Sequence, residues 1–275
     1  SGEELPYDVL SLNVGSTVDD HIGGNQQNVF AAKPIERLAE ARTQLLSLAA
    51  TRNMEIAVVG GGPSALEISG NIHQLCSKSD LHMPQITIYA GSSLLGGRPV
   101  RLQSLVRRCM EKKGIRLVTG CRVQGIDSNR LTLSTGEEAH ADFIFLCTGV
   151  QPSAIVLRSG LPAGTDGGLL VNRYLQSTKY DNIFGGGDCI SFQAQPLARV
   201  GVYAVRQNPV LFHNLMARLE NRPLEKFSPG KGYLLIYNLG DDRGIFYRWP
   251  VTISGRLPFI LKDWIDRRFI KRFTH

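Results

Sequence analysis

MEIAVVGGGPSALE, residues Met54–Glu67, is the stretch from which the rest of the chain can be read. Ile56, Ala57, Val58 and Val59 form a short apolar run of the kind that becomes a buried parallel strand. Gly60, Gly61 and Gly62 follow at once, and a helical stretch runs from Pro63 to about Leu75. Strand, glycine turn and helix make the first half of a βαβ unit. Gly60 permits the tight turn, Gly62 lets backbone approach a pyrophosphate, and Ala65 takes the third small position of G-x-G-x-x-G/A, where helix and strand pack closely. Pro63 suits the first helical turn, because its missing N–H would have no partner there. The remaining amides point at phosphates, helped by the helix dipole. A glycine-rich turn without a ligand is the alternative. It loses ground because Ile86–Tyr89 (ITIY) and Phe143–Leu146 (FIFL) supply further strands of one mononucleotide-binding domain over residues 51–148.

Working outward, the strand Val9–Leu12 ends in Gly15-Ser16 without a glycine-rich fingerprint before it, so the chain is expected to open in the middle of a domain. Lys33–Ala50 has apolar residues at helical spacing and reads as an amphipathic helix. Arg98–Gly114 is another helix, and Ile115–Val118, Arg122–Ile126 and Leu131–Ser134 are short strands. FIFLCTG ends at Gly149 and echoes the earlier NVGS, so the chain is expected to cross between two domains at Gly15 and again at Gly149. NIFGGGD, residues 182–188, is a strand, three glycines and an aspartate, and Pro196–Glu220 reads as a long helix. An aspartate in that place can accept a hydrogen bond from a ribityl or ribose hydroxyl, or it can simply cap a turn. Near the C-terminus, Leu257, Leu261, Trp264, Ile265, Phe269 and Phe273 fall along one side of a basic helix, a side that either packs on the neighbouring domain or suits an anionic surface.

Composition closes off several classes. The net charge of +7 is concentrated at the end, where six Lys/Arg face two Asp from Arg256 onward, so a nucleic-acid-binding face is not expected. No apolar run reaches the ~18 residues of a membrane span. The acidic, polar start does not resemble a signal peptide, so the expected location is cytoplasmic, with peripheral membrane contact through the last helix. The five cysteines include no C-x-x-C pair and read as reduced, buried thiols. The six histidines show no metal-ligand spacing, and G-x-x-x-x-G-K-[ST], H-E-x-x-H and G-x-S-x-G are all missing.

Taken in order, YDVLSLNVGS, VVGGGPSALE, FIFLCTGVQPS and NIFGGGDC resemble the FAD-dependent pyridine nucleotide-disulfide oxidoreductases, type II NADH dehydrogenases and sulfide:quinone reductases included. PLARVGVYAVRQNPVLFHNLMARLENRPL and KDWIDRRFIKRF are similar to the branch associated with selenide, water dikinase. The resemblance implies an α/β fold of two Rossmann-like domains, the flavin domain interrupted by the nicotinamide domain. Residues 1–50 and 149–230 would belong to the flavin domain, with a linker helix before residue 51, and residues 231–275 would add C-terminal strands and the basic helix. It further implies that Gly60, Gly62, Pro63 and Ala65 cradle the NAD(P)H pyrophosphate, with Glu67 near the nicotinamide and flavin. Asp188 with Gly187 would hold the FAD ribityl chain beside the Gly15 and Gly149 turns. A helix starting near Pro196, Leu197 and Ala198 would aim its N-terminus at the flavin ring.

The implied activity is hydride transfer from NAD(P)H to FAD and onward to a second acceptor, with a quinone as the candidate. That transfer needs no side-chain acid or base, so no catalytic residue is singled out. The chain departs from the family pattern in three places. An early flavin GxGxxG is missing, so the chain alone is expected to hold flavin weakly. Ala90 stands where a ribose-binding acid would end the second strand, which leaves NADH or NADPH open. No redox cysteine pair is visible. Two alternatives stay open, a non-catalytic dinucleotide-binding module linked to selenium metabolism and a sulfide:quinone reductase-like enzyme.

Overall fold

The computed structural model describes residues 2–19, 21–23, 26–79 and 81–271. The chain forms two units, one of residues 1–17 and 150–233, the other of residues 18–149 and 234–275. Each is mixed α/β with parallel strands.

The larger unit is built on a five-stranded parallel sheet in the order Val29–Ala31, Phe143–Leu146, Glu55–Val59, Gln85–Tyr89, Arg116–Val118. Its register lines up Leu146, Val59, Tyr89 and Val118, so the strands end together and their following turns share one edge. The central strands are apolar throughout because both of their faces are buried: Phe143–Leu146 is wholly buried, as are Ile56–Val59. Phe30 stacks on Phe143 with ring centroids 5.7 Å apart. The helix Pro63–Lys78 buries Ala65, Leu66, Ser69, Gly70, Ile72 and Cys76, and the helix Val100–Glu111 buries Leu102, Val106 and Met110. A small antiparallel sheet of Val123–Asp127, Arg130–Leu133 and Glu138–His140 forms the crossover before the last strand.

Residues 234–275 pack into this same unit. An antiparallel sheet of Leu235–Asn238, Gly244–Arg248 and Val251–Gly255 lies on the helix Pro63–Lys78. The approach is close: a Cβ on Gly70 would run into the Leu239 carbonyl, and one on Gly240 would run into the Gly70 carbonyl. Tyr237, Leu239 and Ile245 thereby join the core of the five-stranded unit. The turn Asp241-Asp242 is held by Lys113, which bonds Asp241, and by Lys78, 3.6 Å from Asp242. The helix Arg256–Ile270 packs on this sheet with Pro258 buried and Lys262 half-buried. Most of its apolar residues are exposed, Leu257 by 76% and Trp264 by 56%. Phe273 lies outside the described residues. No helix among the described residues is long and apolar enough to cross a membrane.

In the smaller unit, Leu10–Leu12 pairs in parallel with Ile183–Gly185, and Leu169–Val171 with Ile190–Phe192. The helix Gly201–Leu219 packs against the strand end at Gly185–Cys189, and Leu211 joins Leu12, Leu169, Phe184 and Ile190 in the core.

Candidate functional site

The turn after Glu55–Val59 uses its three glycines for different purposes. Gly60 has φ +136°, a region that side chains avoid, and a Cβ there would collide with the Cys147 carbonyl on the neighbouring strand end. A Cβ on Gly61 would collide with the carbonyls of Ser93 and Ala90. Both are therefore demanded by the protein's own packing. Gly62 is not: its φ of −86° suits any residue, and a Cβ would meet nothing within 4 Å. Gly62 is the N-cap of the helix, Pro63 follows at its first position, and no side chain caps the end. Helix geometry leaves the amides of Ser64 and Ala65 without an intrahelical partner. Ala65 is fully buried, which lets helix and strand close up behind the turn. The outcome is bare backbone at a helix N-terminus with open space before it, a cradle that fits a pyrophosphate.

Ala90 directly follows the second strand, and its Cβ lies 3.1 Å from where a Cβ on Gly61 would stand. It is the side chain nearest the turn on that strand end, and it cannot accept a hydrogen bond. Glu67, one turn into the helix, is tied to the C-terminal sheet: its Oε1 accepts the Asn238 backbone N–H at 2.9 Å. Burial pushes its carboxyl above the usual carboxylate range, opposed by the Asn238 bond and by Lys262, while Asp266 pushes it further up.

Gly15, Gly187 and Asp188 come together in the smaller unit; Gly149, with φ +111°, ends a segment of the larger one. Gly187 has φ +75° and opens a short 3₁₀ turn, Gly187–Cys189. Its N–H donates to Gln207 Oε1 at 2.6 Å, and Gln207 is buried. The Ser16 hydroxyl donates to Asp188 Oδ2 at 2.7 Å. Arg199 Nε donates to the Asp188 carbonyl at 3.2 Å, and its guanidinium pairs with Asp166, which also binds the Ser191 hydroxyl. Ser16, Gln207, Arg199 and Asp166 were not singled out from the sequence. Only Ser16 carried a signal there, as the last residue of the NVGS strand end.

One expectation needs correcting. The long helix begins at Gly201, with extended Val200 as its N-cap, and Pro196, Leu197 and Ala198 are irregular backbone before it. Arg199 is held by Asp166 and by the Asp188 carbonyl, and the helix starts only after it.

The five cysteines are free thiols, four of them buried and Cys109 half-buried. Burial pushes the Cys147 thiol up to about 12 and also raises that of Cys189, whose Sγ donates to the Leu12 carbonyl. Neither is a reactive thiolate. Among the described residues no cluster of His, Cys, Asp or Glu is arranged to hold a metal ion.

The chain is 28% identical over 284 residues to ferroptosis suppressor protein 1 of Taeniopygia guttata, covering 96% of this chain and 72% of that protein. It is 27% identical over 293 residues to the type II NADH:quinone oxidoreductase of Haemophilus influenzae, covering 92% of this chain and 66% of that one. In fold it matches the sulfide:quinone oxidoreductase of Aquifex aeolicus with a TM-score of 0.79 at 19% identity, over 98% of this chain and 70% of that chain. It spans 44% of a NAD-dependent persulfide reductase from A. fulgidus, with a TM-score of 0.69. The pyridine nucleotide-disulphide oxidoreductase family model matches residues 1–214, and the chain belongs to that family.

Proposed function

We propose that the chain is the core of an FAD-dependent NAD(P)H oxidoreductase whose second acceptor is a quinone. Gly62 carries the reading, because nothing in the fold requires glycine there while a phosphate approaching the helix N-terminus would. In this reading Gly60 and Gly61 shape the turn, and Gly62, Pro63 and the amides behind them hold the nicotinamide coenzyme's pyrophosphate. Ala65 allows the close packing, and Glu67 lies toward the nicotinamide while anchoring the C-terminal sheet. FAD, when bound, supplies the electron-carrying chemistry between coenzyme and acceptor. Asp188, steadied by Ser16 and Arg199, offers its carboxylate to a ribityl hydroxyl. Gly15 and Gly187, both in the smaller unit, bring backbone to the same cofactor, and Gly149 is assigned to it by the family resemblance alone. The segment Pro196–Ala198 leads into the Gly201 helix, whose N-terminal dipole favours negative charge on a reduced ring. On this assignment residues 51–148 form the nicotinamide domain, residues 18–50 belong with it rather than with the flavin because Val29–Ala31 is a strand of the same sheet, and residues 1–17 and 150–230 serve the flavin.

The quinone draws support from the relatives named for it, the Haemophilus enzyme and the mitochondrial NAD(P)H-ubiquinone oxidoreductase of Arabidopsis thaliana. The outward apolar face of the C-terminal helix, with Arg267, Arg268 and Lys271 beside it, would rest on an anionic membrane surface, where a lipid-soluble acceptor is found. Loss of sedimentation with anionic liposomes in Leu261→Asp/Trp264→Asp is the expected result. The stretches around Arg199 and Trp264 also support an association with selenide, water dikinase, to be checked by co-purification. The test of the central reading is coenzyme oxidation with a soluble quinone in flavin-reconstituted protein. Coenzyme binding without any oxidation would leave the non-catalytic module in its place.

A further inference from the structure

Beyond Ala90 the chain makes a loop, Gly91–Pro99, that is clamped to the glycine turn. Leu94 and Leu95 are buried, the Leu95 N–H donates to the Gly61 carbonyl at 2.7 Å, and Leu95 is held at φ +50°. A leucine in the left-handed region is strained and persists only where its surroundings impose it. The clamp leaves Ser92 and Ser93 on the open side of the loop. There they line a cavity of about 170 Å³ together with Gln103, Ser104 and Arg107 of the helix Val100–Glu111 and Thr119 beyond the next strand. The polar lining is hydroxyls, an amide and a guanidinium, with no carboxylate. Arg107 pairs with Glu111 only at 3.7 Å, longer than a hydrogen bond, so its donors are not consumed there.

We propose that this cavity is the seat of the 2′-phosphate of NADPH, so that the site prefers NADPH to NADH. The proposal rests on the coenzyme reading of the Gly60–Gly62 turn and goes further by choosing between the two coenzymes. A ribose bound by a carboxylate at the end of the second strand would repel a 2′-phosphate, and that carboxylate is replaced by Ala90. Immediately past Ala90 the chain supplies hydroxyl donors and Arg107, the chemistry that recognises a phosphate dianion. The strained clamp at Leu95 fixes this seat to the turn that would hold the pyrophosphate, so both phosphates of one molecule meet donors on the same rigid edge.

The test is calorimetric titration of NADPH and of NADH into the 275-residue chain, its Arg107→Ala and Arg107→Lys forms, and Ala90→Glu. The parent is expected to bind NADPH at least tenfold more tightly. Arg107→Ala should lower the NADPH:NADH affinity ratio about ten- to a hundredfold, the loss expected for a charged hydrogen-bond donor, and Arg107→Lys should restore part of it. Ala90→Glu should invert the preference without touching the cavity. A parent that binds NADH as tightly as NADPH, or an affinity ratio that does not move in Arg107→Ala, overturns the 2′-phosphate seat and leaves the turn's reading intact. If neither coenzyme binds to the parent, the turn's reading falls and the seat falls with it.

Discussion

The chain has two strand ends that carry three consecutive glycines, Gly60–Gly62 and Gly185–Gly187, and they are built to opposite plans. At the first, packing against backbone carbonyls accounts for Gly60 and Gly61, the third glycine is open, and the helix starts at the next residue. At the second, side chains crowd the first two: a Cβ on Gly185 would press on Leu169 and Ile190, and one on Gly186 on Leu211. Gly187 is then tied by Gln207, and the chain passes through Asp188 and a further strand before its helix begins at Gly201. The first end offers bare amides and suits an anion; the second offers one held carboxylate and suits a hydroxyl. Identical composition thus serves opposite polarities, and what decides is whether the helix follows at once.

The sharpest way to break this contrast is within the first turn. Gly60→Ala must place a Cβ against the Cys147 carbonyl at φ +136°, and is expected to cost roughly 3 kcal/mol or more of stability. Chemical denaturation measures it. Gly62→Val should instead leave the midpoint of unfolding near the parent's and weaken NADPH and NADH alike by about a hundredfold, the loss of two amide–phosphate bonds. Equal stability losses at the two positions would show that Gly62 is structural after all.

At the second turn the expected losses are smaller and fall on flavin. Asp188→Ala in the reconstituted protein should raise the FAD dissociation constant about ten- to a hundredfold, and Ser16→Ala by about tenfold or less, because it removes only the neutral partner that aims the carboxylate. Fluorescence titration of FAD distinguishes them. An Asp188→Ala protein that binds FAD as the parent does would reduce Asp188 to a turn cap.

These contrasts also mark what could be read without coordinates. The strand, glycine turn and helix at 55–78 were legible because each signal is local: an apolar run, three glycines, a proline at the first helical position. The parallel strands at 86–89 and 143–146 followed from the same logic. The partners of the site residues were not legible. Ser16 and Asp188 are 172 positions apart, and Glu67 and Asn238 are 171 apart, so no local pattern links them. The start of the long helix was misplaced for the same reason, since Arg199 is held by Asp166, 33 positions earlier. At the C-terminus the helical period separated apolar from charged residues, but periodicity does not say which side meets the protein. Gly70 and Gly240 settle a different contact, letting the terminal sheet lie directly on the backbone of the helix Pro63–Lys78.

The smallest expected effect concerns Glu67, where the glycine-turn helix meets that sheet. Its carboxyl accepts the Asn238 N–H, yet burial raises its affinity for a proton in the folded state above that in the unfolded chain. The sign follows from linkage. A carboxyl whose folded value is raised favours folding while it is protonated, and that contribution fades as pH climbs from the unfolded value through the folded one. At neutral pH the parent therefore carries the penalty of a partly buried negative charge, which Glu67→Gln removes while keeping an oxygen to accept the Asn238 N–H. Glu67→Gln should be the more stable protein at pH 7, and its advantage should shrink toward pH 4, where the parent's carboxyl is protonated as well. Thermal melts across that range measure the difference. A Glu67→Gln protein that is less stable at pH 7 would mean that the ionised carboxylate's attraction to Lys262 and the Asn238 amide outweighs its desolvation. In that case the charge, and not merely the oxygen, fastens the C-terminal sheet to the helix that follows the glycine turn.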